Sequence, residues 1–368
     1  MKNTNKILLV TSEFPPLPGG IGNHAYNLAK YLRANDFEVK VISDQRNNNN
    51  EIEKKFDKEQ KFSVVRTRKK KLRPFMYFDR ILKIKKEVSN NSIIIASGKF
   101  SLWAVALASF FYKRKYIAIL HGTEVNFKNS LLNKSISISL KRFQKIITVS
   151  SYTKSLINHL QLKNVEVIPN GFEKFNEAVS ASDLMKKKGL PSLITVGSVT
   201  ERKGQLNVID ALPNLIKKYP EIHYHIVGTP YQKEEFLEIA KKINVDKYIT
   251  FHGIITDEEK IALLKSSDIF VMLSQNTVKG DVEGFGIALL EANSIGLPTI
   301  GAKNCGIEDA ILNNKSGILI DNKNHLEFSN AIQKIIDNYE LFSNEALTWS
   351  SKFTWDIIIK KYMNTLNS

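Results

Sequence analysis

Cysteine is all but absent from this chain of 368 residues: Cys305 stands alone, so no intramolecular disulfide can form. The seven histidines are scattered at no metal-ligand spacing, and no metal site is expected. Long apolar runs are missing too. The longest, SLWAVALASFFY at 101–112, falls well short of the roughly 20 residues that a bilayer span needs, and it reads as a buried helix. Near the N-terminus ILLV is far below a signal-peptide core and Glu13 follows almost at once, so no cleavage is expected and the chain is expected to be cytoplasmic. Acids are in short supply: 37 Asp and Glu face 53 Lys and Arg, a net charge of +16.

What is present is alternation. KILLVT, FEVKVIS, SIIIAS, YIAIL, KIITVS and VEVIP read as short apolar strands, with helices in IGNHAYNLAKYLRAN, SLWAVALASFFYK and SYTKSLINHL. A second series, SLITVG, IHYHIVG, YITFHG, IFVML and PTIGA, alternates with helices at 204–218, 232–243, 257–266 and 286–296. This is the pattern of α/β domains with parallel, doubly wound sheets. The length suits two of them. The expected division is an N-terminal Rossmann-like domain at 1–172, a polar linker at 173–190, and a second Rossmann-like domain at 191–350. A last helix at 351–368 is expected to pack back on the first domain. Two such domains in series predict a ligand cleft at the C-terminal edges of their strands.

The positive charge is concentrated. Residues 54–86 hold FDKEQKF, RTRKKKLRPF and DRILKIKK in close succession, with Phe75, Tyr77 and Phe78 among them. Lysines beside aromatics suit an anionic membrane surface, which makes the chain a candidate peripheral protein. The same lysines fit a compositional bias that also gives NNNN, and the aromatics fit a core. Nucleic acid is not expected as a partner.

In PLPGGIGNHAYNLAKYL, Gly20, Gly22 and Ala25 open a helix, and Asp44 ends the next apolar stretch, as in a dinucleotide fingerprint. In that fingerprint the first strand runs straight into the first glycine. Here SEFPPLPG intervenes, so the segment reads instead as a phosphate-facing or sugar-facing loop, or as a plain turn between strand and helix. In the second half, Arg202 and Lys203 precede Gly204 and a helix start, where two cations at a strand's C-terminal edge could cradle a diphosphate or simply sit in a solvated turn. The sharper signal is KGDVEGFGIALLEANSIGLPTI. Glu283 and Glu291 sit in a segment otherwise small and apolar, and buried acids need partners. A sugar nucleotide supplies them, through ribose hydroxyls for Glu291 and sugar hydroxyls for Glu283.

The set GGIG, HGTE at 121–124, IPNG at 168–171, ERKG at 201–204 and EGFGIALLEA at 283–292 resembles the retaining glycosyltransferases of family 4, in order and spacing across essentially the whole chain. The resemblance implies the GT-B fold, two Rossmann-like domains facing each other across a cleft. It implies that Gly20 and Gly22 approach the donor phosphates, that His121 reaches the donor sugar, and that Arg202 and Lys203 neutralise the diphosphate. Glu283, with the amides of Phe285 and Gly286 and the neighbouring Ile287, would hold the transferred sugar. Glu291 would bind ribose, and the base would lie near Gly253 and Ile254. One departure stands out: many members have Gly-Arg where this chain has Gly197-Ser198, and Arg202 would have to replace that arginine from the same loop.

The implied reaction moves a hexose or N-acetylhexosamine from a UDP-sugar or, less favoured, a GDP-sugar to a glycan or lipid-linked acceptor, in bacterial surface polysaccharide or glycolipid assembly. No cofactor and no obligatory metal are expected, because Arg202 and Lys203 carry the leaving-group charge. His121 remains open as a general base or as a hydrogen-bonding wall. The alternatives are a sugar-nucleotide epimerase of the same form and a noncatalytic basic protein that binds membrane or nucleic acid.

Overall fold

Strands covered on both faces read as unbroken apolar runs, and here such runs build two all-parallel sheets. The computed structural model describes residues 6–47, 50–70, 72–175 and 188–367. The chain divides into two units, one of Met1–Gly171 with Trp355–Ser368 and one of Phe172–Thr354.

In the first unit the strands are β1 (Lys6–Thr11), β2 (Glu38–Asp44), β3 (Ser63–Thr67), β4 (Ile93–Ser97), β5 (Lys115–Leu120), β6 (Lys145–Thr148) and β7 (Val165–Val167). They pair in the order β3-β2-β1-β4-β5-β6-β7. The helices are α1 (Gly20–Ala34), α2 (Glu51–Lys58), α3 (Arg73–Val88), α4 (Lys99–Ala108), α5 (Ser130–Leu140) and the short α6 (Ser151–Ser155). Helices α3, α4 and α5 form one layer, sharing a core of Ile84, Val88, Leu102, Val105, Ile136 and Leu140 with strand residues such as Leu8, Ile94 and Ala118.

The second unit has β8 (Ser192–Val196), β9 (His223–Val227), β10 (Ile249–Gly253), β11 (Ile269–Met272), β12 (Thr299–Ala302) and β13 (Gly317–Ile320), in the order β10-β9-β8-β11-β12-β13. Around them lie α7 (Gln205–Lys218), α8 (Lys233–Lys242), α9 (Asp257–Ser266), α10 (Ile287–Asn293), α11 (His325–Asp337) and α12 (Tyr339–Ser350). Local sequence sets their starts. Thr256 and Glu259 form a capping box on α9, and Asn324 accepts from the amides of Leu326 and Glu327 at α11.

The final helix, α13 (Trp355–Asn367), belongs to the first unit, where Trp355 stacks on Tyr31 of α1 with centroids 5.8 Å apart. Residues 351–354 remain with the second unit, where Phe172 pairs with Thr354. Of the expected linker, 173–175 and 188–190 also belong to that unit, and 176–187 lie outside the described residues.

Two expectations need correction. The run 101–112 is a buried helix only over its first eight residues: α4 ends at Ala108, and Phe110 and Phe111, which lie beyond that end, are exposed. The stretch 54–86 is not one basic patch. Arg66 on β3 turns inward onto Glu53 and Asp57, and Arg80 of α3 is buried against Asp44, with Nε 3.1 Å from Oδ1. That pair removes the dinucleotide fingerprint's acid, since Asp44 already has a guanidinium to itself.

Candidate active site

In the first unit the glycine loop is fastened before it reaches α1. Arg46 donates to the carbonyls of Leu17 and Pro18, each at 3.0 Å, and Arg66 to that of Pro15. Gly22 is needed by the protein itself, since a Cβ there would lie 3.0 Å from the Phe14 nitrogen. Gly20 is different: a Cβ there meets nothing within 4 Å, and no side chain caps the helix start.

His121 follows β5 and Ser97 ends β4, neighbouring strands that bring His121 Nε2 to 2.9 Å from Ser97 Oγ. Burial holds the His121 imidazole at a pKa of about 4, so it is neutral at ordinary pH. Two neighbours of His121 stand in the quoted segments but were given no role there. His24, two residues past Gly22, is fully buried edge-on to His121; its Nε2 lies 2.9 Å from the Tyr362 hydroxyl, and its Nδ1 has no partner among the described residues. Glu124 of the HGTE motif is also fully buried. Its Oε1 accepts from the His121 amide at 2.5 Å, and its Oε2 has no partner among the described residues. Burial raises its pKa, against the pull of the His121 amide, its own amide and Lys99.

In the second unit, Gly197 and Ser198 follow β8, and a single 3-10 turn carries Arg202 and Lys203 to Gly204. Gly204 has φ +76°, and a Cβ there would lie 1.8 Å from the Leu273 carbonyl oxygen, so the turn requires glycine. Both cations converge on Glu283: Lys203 Nζ lies 3.0 Å from Oε2, and Arg202 pairs with the same oxygen. Burial alone would raise the Glu283 pKa, but Lys203 and Arg202 outweigh it and hold the carboxyl below its usual range. Ser198 contributes its carbonyl, which accepts from Gln205 at 3.1 Å.

Gly286, with φ +80°, opens α10 beneath Ile307, and the Phe285 ring is core, 6.1 Å from that of Phe353. Ile287 and Glu291 are half-buried. The Glu291 carboxylate makes no hydrogen bond or ion pair among the described residues; burial raises its pKa, eased by Lys260 and Lys203. Lys260, on α9, carried no motif. Gly253 ends β10 in open space with φ +71°, and Ile254 beyond it is exposed. Glu283, Arg202 and Lys203 are thus gathered at the C-terminal edge of one sheet, and His121 stands at that of the other.

The chain matches two family descriptions: Glycosyltransferase Family 4 over residues 18–174 and Glycosyl transferases group 1 over 178–346. It is 24% identical, over 100% of its length and 99% of the relative's, to a GDP-mannose-dependent monoacylated alpha-(1-6)-phosphatidylinositol monomannoside mannosyltransferase of Corynebacterium glutamicum. It is 25% identical to the amylovoran biosynthesis glycosyltransferase AmsD of Erwinia amylovora, over 95% and 96% of the two chains. Among solved structures, Anabaena HepE in complex with UDP-glucose superposes with a TM-score of 0.80 at 21% identity, over 98% of this chain and 99% of that one. The chain therefore belongs to the family 4 glycosyltransferases and has their GT-B fold.

Proposed function

We propose that this glycosyltransferase retains anomeric configuration and moves a hexose or N-acetylhexosamine from a nucleoside diphosphate sugar to a glycan or lipid-linked acceptor in bacterial surface polysaccharide or glycolipid assembly. The observation that carries the reading is the cluster of Lys203, Arg202 and Glu283 at the end of β8. A diphosphate brings more negative charge than one carboxylate, so it takes over both cations and frees Glu283 for the hydroxyls of the transferred sugar. Glu291, half-buried with an unused carboxylate, is suited to ribose, and the open surface at Gly253 and Ile254 to the base. His121 and the Gly20 loop serve the sugar and phosphates.

Expulsion of the diphosphate leaves charge on the departing oxygens, which Arg202 and Lys203 stabilise as fixed cations. With those two in place, no obligatory divalent ion is needed. A double displacement requires a carboxylate on the face of the anomeric carbon opposite the leaving group, and none is assigned that place. Substitution on the same face follows, with a departing phosphate oxygen taking the acceptor's proton. His121, neutral at ordinary pH, acts as a hydrogen-bonding wall at the sugar.

The UDP donor is preferred because HepE, similar over its whole length, was solved with UDP-glucose. A GDP-mannose donor is the second reading, supported by the Corynebacterium glutamicum relative's description. A thermal-shift series with UDP, GDP, ADP and NAD separates them. Ligand at about a hundred times its Kd adds roughly 2.7 kcal/mol, a midpoint shift of a few degrees. A response to NAD alone would overturn the proposal. Product NMR then reads the anomeric configuration, and EDTA-treated enzyme is expected to keep its rate.

A further inference from the structure

We infer that the edge of the first unit's sheet where β4, β5 and β6 begin is a binding site for a small soluble molecule that carries several phosphates. Ser92, Lys115 and Gln144 stand at the starts of those strands and line a recess of about 630 Å³, a volume suited to a small ligand. Its other walls are cationic, with Lys113, Arg114, Lys141 and Arg142, and no Asp or Glu lines it among the described residues.

Part of this charge serves the fold. Helices that cover a parallel sheet end at the edge where its strands begin, and their last carbonyls draw cations. Arg114 donates to the carbonyls of Val88 and Ser89 at the end of α3, at 3.2 and 2.8 Å. Arg142 donates to Ser109 Oγ and to its carbonyl just past α4, at 3.0 and 3.1 Å, and Lys115 to the carbonyls of Thr365 and Leu366 in the last turn of α13, at 3.2 and 2.8 Å. Capping does not account for the whole set. A helix end carries about half a negative charge, so three of them offset about 1.5 of the five positive side chains. The exposed Lys113 and Lys141 stand outside these contacts. Lys145, at the start of β6, adds to the excess: burial first, then its charge, lowers the pKa of Lys115.

What this edge lacks is an anion of two or more charges. Guanidinium and ammonium groups that converge on a concave surface focus positive potential into it, and phosphate oxygens are the acceptors that such a fork-and-point set of donors fits. A lipid bilayer presents a plane, which would meet the rim and leave the recess empty, so the occupant is a soluble molecule that enters it. A second copy of the chain is a poor occupant, because two such faces would bring like charges together. The recess is also separate from the candidate active site of this unit. Strand β5 runs from Lys115 in the recess to Leu120 beside His121, six residues or about 20 Å away.

The site is independent of the donor reading. Calorimetric titration of the full chain with inorganic tripolyphosphate at about 0.15 M salt, where diffuse attraction is screened, tests it. Saturable binding is expected, at least tenfold weaker in K113Q/K141Q and unchanged in K241Q/K242Q, which removes the same charge from exposed lysines at the end of α8. An unliganded melting midpoint equal to the parent's certifies the fold of both variants. The UDP- or GDP-induced thermal shift, which tests the donor reading separately, should be unchanged in K113Q/K141Q. Absence of saturable binding, or equal losses in the two variants, would overturn the inference. So would tripolyphosphate binding that UDP or GDP abolishes while K113Q/K141Q retains it, because that places the anion at Arg202 and Lys203. Binding to phosphatidylglycerol vesicles that K113Q/K141Q weakens, with none to free tripolyphosphate, would overturn it in favour of a lipid.

Discussion

The imidazole of His24 stands edge-on to that of His121, ring centroids 5.1 Å apart and planes at 77°. His121 is fixed on its other side by Ser97, and His24 by Tyr362. Burial depresses both pKa values, and the neighbouring His121 ring lowers that of His24 further. His24 is thus a positioning residue for His121. The substitution His24→Phe keeps the ring volume but strands the Tyr362 hydroxyl, at a cost of about 1–3 kcal/mol. We expect kcat to fall about tenfold or more with KM for the donor little changed. An unaltered kcat in folded protein would remove His24 from the mechanism.

Glu283 and its two cations act in opposite directions on binding and turnover. In Glu283→Gln the neutral amide no longer competes with a diphosphate for Arg202 and Lys203, so free UDP or GDP should bind at least as tightly as to the parent. Transfer, which requires the carboxylate at the sugar, should fall by about 10²–10³. Calorimetry with the nucleotide and a coupled transfer assay give the two numbers, and parallel losses in both would contradict the assigned role.

Glu291 offers the reverse pattern. Among the described residues its half-buried carboxylate makes no hydrogen bond or ion pair, and burial raises its pKa, so the protein bears a cost that a ribose would offset. Glu291→Gln should leave Tm unchanged or slightly higher while raising the donor KM roughly tenfold. A Tm loss of several degrees would show that Glu291 is instead a structural residue.

Much of this was legible because fully buried strands leave little choice of residue: IIIAS of β4 and IFVM of β11 can hardly be anything else. The edges were harder. β3 was hidden because SVVRT is half-exposed and holds Arg66, whose ion pairs with Glu53 and Asp57 arise only in the fold. β13 is four residues long and begins at Gly317, where a Cβ would lie 2.3 Å from the Thr299 oxygen of β12. Motifs located Arg202, Lys203 and Glu283, but not their pairing across 81 positions. Asp44 matched a fingerprint acid by spacing alone, and its partner Arg80 lies on another element. His24 looked like an unremarkable helix residue because Tyr362, which holds it, comes 338 residues later.

The second unit carries a histidine cluster whose chemistry sets an acid limit. His225 Nδ1 lies 2.9 Å from His252 Nε2, and the His223 ring is 4.8 Å from that of His225. Burial first, then the neighbouring histidines and Lys188, lowers their pKa values, His223 to about 3 and His225 to about 4. Each folded pKa lies below the unfolded value of 6.5, so the unfolded chain binds protons first, and the stability present above pH 6.5 is lost as pH falls toward 4. Glu259 is the acid that pulls the other way, on His252. Urea unfolding between pH 6.5 and 5 should show stability dropping, and His225→Gln should flatten that slope by about one proton, or 1.4 kcal/mol per pH unit. A parallel slope in the variant would assign the acid sensitivity elsewhere.

Two glycines of the site should respond oppositely to one added methyl. At Gly204 a Cβ would be driven into the Leu273 carbonyl at 1.8 Å with φ at +76°, so Gly204→Ala must move the turn that holds Arg202 and Lys203. A loss of about 3 kcal/mol or more, or failure to fold, is expected. At Gly20 the same methyl enters open space without positive φ, so Gly20→Ala should melt within about 2 °C of the parent, since alanine also favours the helix. Its cost should appear only with the donor, as a several-fold higher KM, because the methyl projects where the resemblance brings the donor phosphates against the loop. A Gly20→Ala enzyme with parental kinetics would mean that the glycine is there for the turn alone, and that the GGIG segment does not touch the nucleotide sugar.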